Sequence, residues 1–146
     1  MPIKVLIIDD DSSMTELLST FLHQHAMEVY SSSSGNQGIE MARTVCPDIV
    51  IVDLLLPGTD GWEVCKILRS FTKAPIAILS ALDDPKIITS ALDAGADDYM
   101  TKPVPNTVLL AHINNLTRRY AVESHLSNSL INNDLKNCPP SPTNLH

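Results

Sequence analysis

Four short apolar runs in this chain each end on a residue able to do chemistry. Asp9, Asp10 and Asp11 follow the run ending Val5-Leu6-Ile7-Ile8, and Asp53 follows Ile49-Val50-Ile51-Val52. Ser80 closes Ile76-Ala77-Ile78-Leu79, and Lys102 follows Tyr99-Met100-Thr101. If these ends converge, several carboxylates, one hydroxyl and one amine share a single crevice. Like charges about 4 Å apart repel by roughly 4 kcal/mol at an effective dielectric near 20. A divalent cation together with Lys102 would relieve that repulsion. Oxygen-only ligands select Mg²⁺, with Mn²⁺ able to substitute, rather than zinc. Such a site suits phosphoryl transfer, in which a carboxylate attacks while metal and ammonium neutralise the moving group.

The elements that must carry these residues are legible in the periodicity. The apolar runs are short and unalternating, as expected for strands covered on both faces; Met27 to Tyr30 and Tyr99 to Thr101 are weaker strand candidates. Met14, Leu17, Leu18, Phe21 and Leu22 follow helical spacing, with Ser12 or Ser13 as the expected cap. Further helices are expected from Gly35 to Val45, after Asp60, from Asp84-Pro85 to about Ala94-Gly95, and from Asn106 or Thr107. Strands alternating with helices give an α/β fold: a doubly wound, five-stranded parallel sheet flanked by five helices. In such sheets the functional crevice lies beyond the carboxyl ends of the strands, where the candidate residues stand. One domain over residues 1–121 is expected, then a helical extension over 122–146 whose stripe of Val122, Leu126 and Leu130 leads into a Pro-rich, disordered tail.

Four segments resemble response-regulator receiver domains of the CheY-like superfamily. They are Val5-Leu-Ile-Ile-Asp-Asp-Asp-Ser12, Asp48-Ile-Val-Ile-Val-Asp53-Leu-Leu-Leu-Pro57-Gly-Thr-Asp60-Gly61, Pro75-Ile-Ala-Ile-Leu-Ser80-Ala81 and Gly95-Ala-Asp-Asp-Tyr99-Met-Thr-Lys102-Pro103. The resemblance spans residues 3 to about 120 and implies strand order 2-1-3-4-5. It also implies phosphorylation by a sensor histidine kinase or phosphotransfer protein. By the same resemblance Asp53 is the phosphoacceptor. Asp10, Asp53 and the Leu55 carbonyl are direct metal ligands, and Asp9 is a ligand through water. Lys102 pairs with the phosphate, Ser80 and Ala81 flank it, and Tyr99 is the switch aromatic. The Lys102-Pro103 bond is typically cis in this family. The class is a phospho-acceptor signalling domain rather than an enzyme proper.

Within that family, Gly95 to Tyr99 and Thr117-Arg-Arg-Tyr120 resemble the OmpR/PhoB class, whose dimers pair charges across the fourth helix, fifth strand and fifth helix. Carried over, Asp97 and Arg119 keep one pair, and Leu92 and Ala111 keep part of the apolar patch. Ile88, Val108 and His112 stand where the class has charged residues, and Asp98 with His112 is an ion pair only when the imidazole is protonated. A weak homodimer through this face, tightening below about pH 6.5, is the expectation.

Composition excludes other classes. Seventeen acids against ten bases give a formal charge of −7, contrary to a nucleic-acid surface. The three cysteines show no C-x-x-C spacing, which suits reduced thiols in the cytoplasm rather than a disulfide framework. No apolar run reaches membrane-spanning length, and no DNA-binding or cyclase segment is recognisable in the 146 residues. Asp11 is expected to cap or face solvent, Gly58 and Gly61 to form turns, Ser31 to Ser34 to form a loop, and Trp62 to be partly exposed. The competing enzyme is an aspartate-nucleophile phosphatase of the haloacid-dehalogenase type, with Asp9-x-Asp11 as its motif. A flavin carrier is disfavoured, because three aspartates would repel its phosphate.

Overall fold

A strand with both faces covered needs no polar alternation, and the central strands carry unbroken apolar runs, Val5 to Ile8, Ile49 to Val52 and Ile76 to Leu79. The computed structural model describes residues 2–130. In chain order the elements are β1 (Lys4–Ile8), α1 (Ser12–His23), β2 (Glu28–Ser32), α2 (Gly35–Val45), β3 (Ile49–Val52), β4 (Leu55–Leu56), β5 (Thr59–Asp60), α3 (Gly61–Phe71), β6 (Ile76–Ser80), α4 (Pro85–Asp93), β7 (Asp98–Thr101) and α5 (Asn106–Leu130). The five-stranded parallel sheet has the order β2-β1-β3-β6-β7. This is the expected 2-1-3-4-5 order, with β4 and β5 set apart as a small antiparallel ribbon whose turn places Gly58 at φ +71°.

Alternate residues of each strand feed two cores. Leu6, Ile8, Val50, Val52, Ile76 and Ile78 pack with Ile39 of α2, Val64, Cys65 and Leu68 of α3, and Ala91 of α4. Val5, Ile7, Ile49, Ile51, Ala77 and Leu79 pack with Leu18 and Leu22 of α1 and with Leu109, Ile113 and Leu116 of α5. Ile8 pairs with Val52, Val52 with Ile78, and Ser80 with Thr101, so the carboxyl ends lie together. The ladder runs a residue further at three of them. Asp9 N–H donates to Ser32 O (3.0 Å), Asp53 N–H to Ile8 O (3.0 Å) and Lys102 N–H to Ser80 O (2.8 Å). The three candidate residues are thus fixed by backbone bonds before any side chain acts.

Two local expectations are corrected. The cap of α1 is Asp11, whose Oδ1 accepts from Met14 N–H, while Ser12 and Ser13 are its first helical residues. A carboxylate at this position satisfies a free helical N–H and meets the positive end of the helix dipole. The serine run is not one loop either: Ser31 and Ser32 complete β2, and Ser34 caps α2 through Gln37 N–H. Asp60 and Asp84 cap α3 and α4 as expected, with Pro85 in the first turn.

Buried contacts of α5 extend to Tyr120 and Ala121. The helix continues unbroken, but Val122 and Leu126 are 55% and 56% exposed. The expected disordered tail lies outside the described residues. Among the described residues no helix is long and apolar enough to cross a membrane.

Candidate functional site

Asp9 and Asp53, both buried, meet over a single ammonium. Lys102 Nζ lies 2.9 Å from Asp9 Oδ2 and 3.0 Å from Asp53 Oδ2. The second oxygen of each carboxylate takes a backbone donor: Asp11 N–H to Asp9 Oδ1 (3.0 Å), and Leu55 N–H to Asp53 Oδ1 (3.0 Å). Asp10 is exposed at the rim, and one carboxylate oxygen from each of Asp9, Asp10 and Asp53 lies within 4.8 Å of the others. Asp11 stands outside that cluster, its carboxylate spent on the α1 cap. The Lys102-Pro103 bond is cis.

The approach of α3 depends on Gly61. A Cβ there would meet Leu54 Cα at 2.4 Å and Asp53 O at 2.9 Å, so only glycine lets the start of α3 lie against the backbone of the acceptor candidate. The same segment brings Leu55 across from Asp60 in the β4–β5 ribbon, with the Leu55 side chain 53% exposed.

Burial pushes the Asp9 carboxyl up, against the lowering effect of the Asp11 N–H and of Lys102. For Lys102, burial acts to lower its pKa, but the hydrogen bonds and charges of Asp9 and Asp53 outweigh it and the ammonium is held above its usual range. Three carboxylates against one ammonium leave two negative charges uncompensated. With oxygen donors alone, that set fits a hard divalent cation such as Mg²⁺.

Ser80 is fully buried at the end of β6, and Ala81 is exposed beside it. Leu82 joins the two switch candidates: its N–H donates to Ser80 Oγ (3.3 Å), and its carbonyl accepts from Tyr99 Oη (2.5 Å). Burial, opposed by a hydrogen bond with Ser80, raises the Tyr99 phenol above its ordinary pKa. Sequence reasoning missed this role of Leu82, and a main-chain role leaves no side-chain signature to find.

The face candidates lie on α4, the β7 segment and α5, but their charges are engaged within one chain. Asp97 Oδ2 accepts from Arg69 Nη2 (2.6 Å) and from Ile76 N–H (2.9 Å), whereas Arg119 is exposed. Asp98 Oδ2 lies 2.6 Å from His112 Nδ1, and its Oδ1 accepts from Tyr99 N–H. Leu92 and Val108 are 42% and 43% exposed, and Ala111, on α5 with Val108, is exposed as well. The unforeseen element is Arg69, on α3, whose sequence position marks it only as a helix-end cation.

Buried carboxylates over one lysine, on the carboxyl ends of a parallel sheet in 2-1-3-4-5 order, define a phosphoryl-acceptor class of α/β domain. The family model for the response regulator receiver domain matches residues 5–114, and the chain belongs to that family, the phospho-acceptor domains of two-component response regulators. The transcriptional regulatory protein AfsQ1 of Streptomyces coelicolor is 38% identical over 120 residues, covering 82% of this chain and 53% of AfsQ1. The DNA-binding response regulator MtrA of Mycobacterium tuberculosis is 35% identical over 116 residues, 80% of this chain and 51% of MtrA. The chain therefore spans about half the length of these curated relatives. Among solved structures, the beryllofluoride-activated N-terminal receiver domain of Klebsiella pneumoniae RstA is 34% identical with a TM-score of 0.76, covering 79% of this chain and 98% of that one. Chemotaxis protein CheY4 of Vibrio cholerae, at 25% identity and a TM-score of 0.75, covers 80% of this chain and 99% of its own.

Proposed function

We propose that Asp53 accepts a phosphoryl group from a sensor histidine kinase or phosphotransfer protein, and that the modification is read out on the face formed by α4, β7 and α5. The observation that carries this reading is the Lys102 ammonium set between Asp9 and Asp53, with Asp10 beside them. Asp53 supplies the attacking oxygen, a new O–P bond forms, and the bond from phosphorus to the donor nitrogen breaks. Lys102 holds the carboxylate in place and then faces the negative phosphoryl oxygens. Ser80, at the neighbouring strand end, donates its hydroxyl to one of them. Asp10, Asp53 and the Leu55 carbonyl would hold Mg²⁺ directly, with Asp9 acting through a water. The ion supplies charge neutralisation at phosphorus.

The chain acts as a signalling domain, in this reading, with no turnover beyond taking up and slowly losing its own phosphoryl group. Residues up to 121 form the receiver, 122–146 extend it, and the output is a partner contact or an attached effector in the cytoplasm. With its acidic balance the chain itself binds no nucleic acid.

Incubation with acetyl phosphate and Mg²⁺ should add one phosphate by intact mass, absent without the metal and absent in Asp53→Asn. Equal labelling of that variant overturns the assignment. The phosphatase reading predicts instead that Asp9→Asn abolishes the acyl phosphate. Capping of α1 by Asp11 disfavours it, because that motif needs the second aspartate free for chemistry.

A further inference from the structure

The β4–β5 ribbon carries the Leu55 peptide, whose N–H holds Asp53 Oδ1 and whose carbonyl is the proposed metal ligand. Buried Leu54 and Leu56 root the first strand of the ribbon in the core, while Leu55 between them is exposed. The turn at Gly58 has no such support, since a Cβ there would meet nothing within 4 Å. On the second strand Thr59 lies opposite Leu56 and is half-buried. Its methyl group packs on the first residue of α2.

That residue is Gly35, which is itself buried. A Cβ on it would lie 2.7 Å from Thr59 Cγ2, 3.1 Å from Thr59 Cβ and 2.8 Å from Val64 Cγ2 of α3. Gly35 stands within a helix, where alanine is the preferred residue, so the close approach is what keeps a methyl group out. The turn that places Gly35 is tied in its turn to the end of β1. Asp9 N–H donates to Ser32 O. The buried Ser32 hydroxyl donates to Ser34 O (2.9 Å) and accepts from Ser34 N–H (3.2 Å), and Ser34 Oγ caps α2 by accepting from Gln37 N–H (3.1 Å). Ser32 to Gly35 thus reaches from the strand end that bears Asp9 and Asp10 to the ribbon that bears Leu55.

We propose that this turn is a spacer that sets the Leu55 carbonyl against the Asp9 and Asp10 carboxylates, with Gly35 and Thr59 as positioning residues for the divalent cation. It rests on the metal reading of that site. Mg²⁺ demands near-ideal octahedral ligands at about 2.0–2.1 Å, so a small displacement of one ligand is felt. A methyl group on residue 35 makes Thr59 retreat by roughly 1 Å to reach ordinary van der Waals separation. The ribbon pairing carries Leu56 and Leu55 along with it.

Mn²⁺, whose free form is read directly by electron paramagnetic resonance, is the probe on the full chain, with Mg²⁺ affinity taken from competition. Gly35→Ala should weaken binding of both ions by about tenfold, the low end for loss of a group that orients a metal ligand. Thr59→Ser, which removes the Cγ2 methyl and keeps the hydroxyl, should weaken it less. Combining Gly35→Ala with Thr59→Ser moves one methyl group across the contact and conserves its volume, so the pair should bind nearly as the unaltered chain does. Gly35→Ala with Val64→Ala relieves only the α3 side and should stay weak. Unaltered affinity in both single variants, or rescue by Val64→Ala in place of Thr59→Ser, overturns the spacer. Should Gly35→Ala fail to fold, unaltered affinity in Thr59→Ser decides against it. Mn²⁺ binding that is absent from the unaltered chain, or unchanged by Asp10→Asn, overturns the metal reading instead.

Discussion

At the scale of single residues, Leu82 does two things at once. Its backbone ties Ser80 to Tyr99, while its half-buried side chain stands two residues past Ser80, as Leu55 stands two past Asp53. Hydrolysis of an aspartyl phosphate needs a water in line with the breaking bond, and neither leucine side chain can hydrogen-bond one. The phosphorylated chain should therefore persist for minutes or longer at neutral pH. Leu82→Glu should shorten that lifetime by at least about tenfold, measured as loss of the added mass with time. Decay within seconds in the unaltered chain, unchanged by Leu82→Glu, would refute the idea.

Cys65 shows how burial alone sets a residue's chemistry. It is fully buried on α3, and burial pushes its thiol from 9.0 up to about 12, with Arg69 opposing that shift weakly. A group whose folded pKa is raised contributes stability that is present below pH 9 and is lost as pH rises through about 12. In that window the unfolded chain loses its thiol proton while the folded one keeps it, and the slope is about 1.4 kcal/mol per pH unit. Urea unfolding at pH 8 and pH 10 should show Cys65→Ala losing less stability across that interval than the unaltered chain. Native Cys65 should also resist alkylation at pH 8; the half-buried Cys46 provides the comparison.

At the scale of elements, the caps and close contacts decide where each helix begins. Asp11→Ala should cost about 1 kcal/mol in unfolding free energy, and Ser12→Ala less than about 0.5 kcal/mol. The reverse order would place the cap on the serine. Gly61→Ala should cost about 1–3 kcal/mol by overpacking, because a methyl group there collides with the Leu54 backbone. It should also slow labelling of Asp53, since relief of the collision moves the acceptor's own strand end. Normal stability with normal labelling would show that α3 can shift freely.

At the scale of the whole molecule, the face across α4, β7 and α5 has spent its aspartates internally. Asp97 is held by Arg69 and Asp98 by His112, leaving Leu92, Val108 and Ala111 as its free surface. Exposed ion pairs contribute only about 0–1 kcal/mol each, so apolar contact is the stronger attraction this face offers a second copy. Sedimentation of the beryllofluoride-activated chain should show weak self-association through these apolar side chains. A strict monomer would remove this face as a self-association surface.

The sequence alone determined the strand and helix order, the parallel sheet and the placing of Asp9, Asp53, Ser80 and Lys102 together. Each of these follows from local signals: unalternating apolar runs, Asp-Pro and Asp-Gly starts, and reactive residues just past strand ends. Tertiary structure alone decided which of several adjacent polar residues performs a given task. Asp11 rather than Ser12 caps α1, since both types suit a cap and only the helix start chooses between them. Arg69 holds Asp97 within the chain because α3 ends against the start of β7, a proximity no spacing along the chain encodes. The Leu82 main-chain bonds likewise arise from elements apart in sequence, made neighbours by burial of the apolar strands between them.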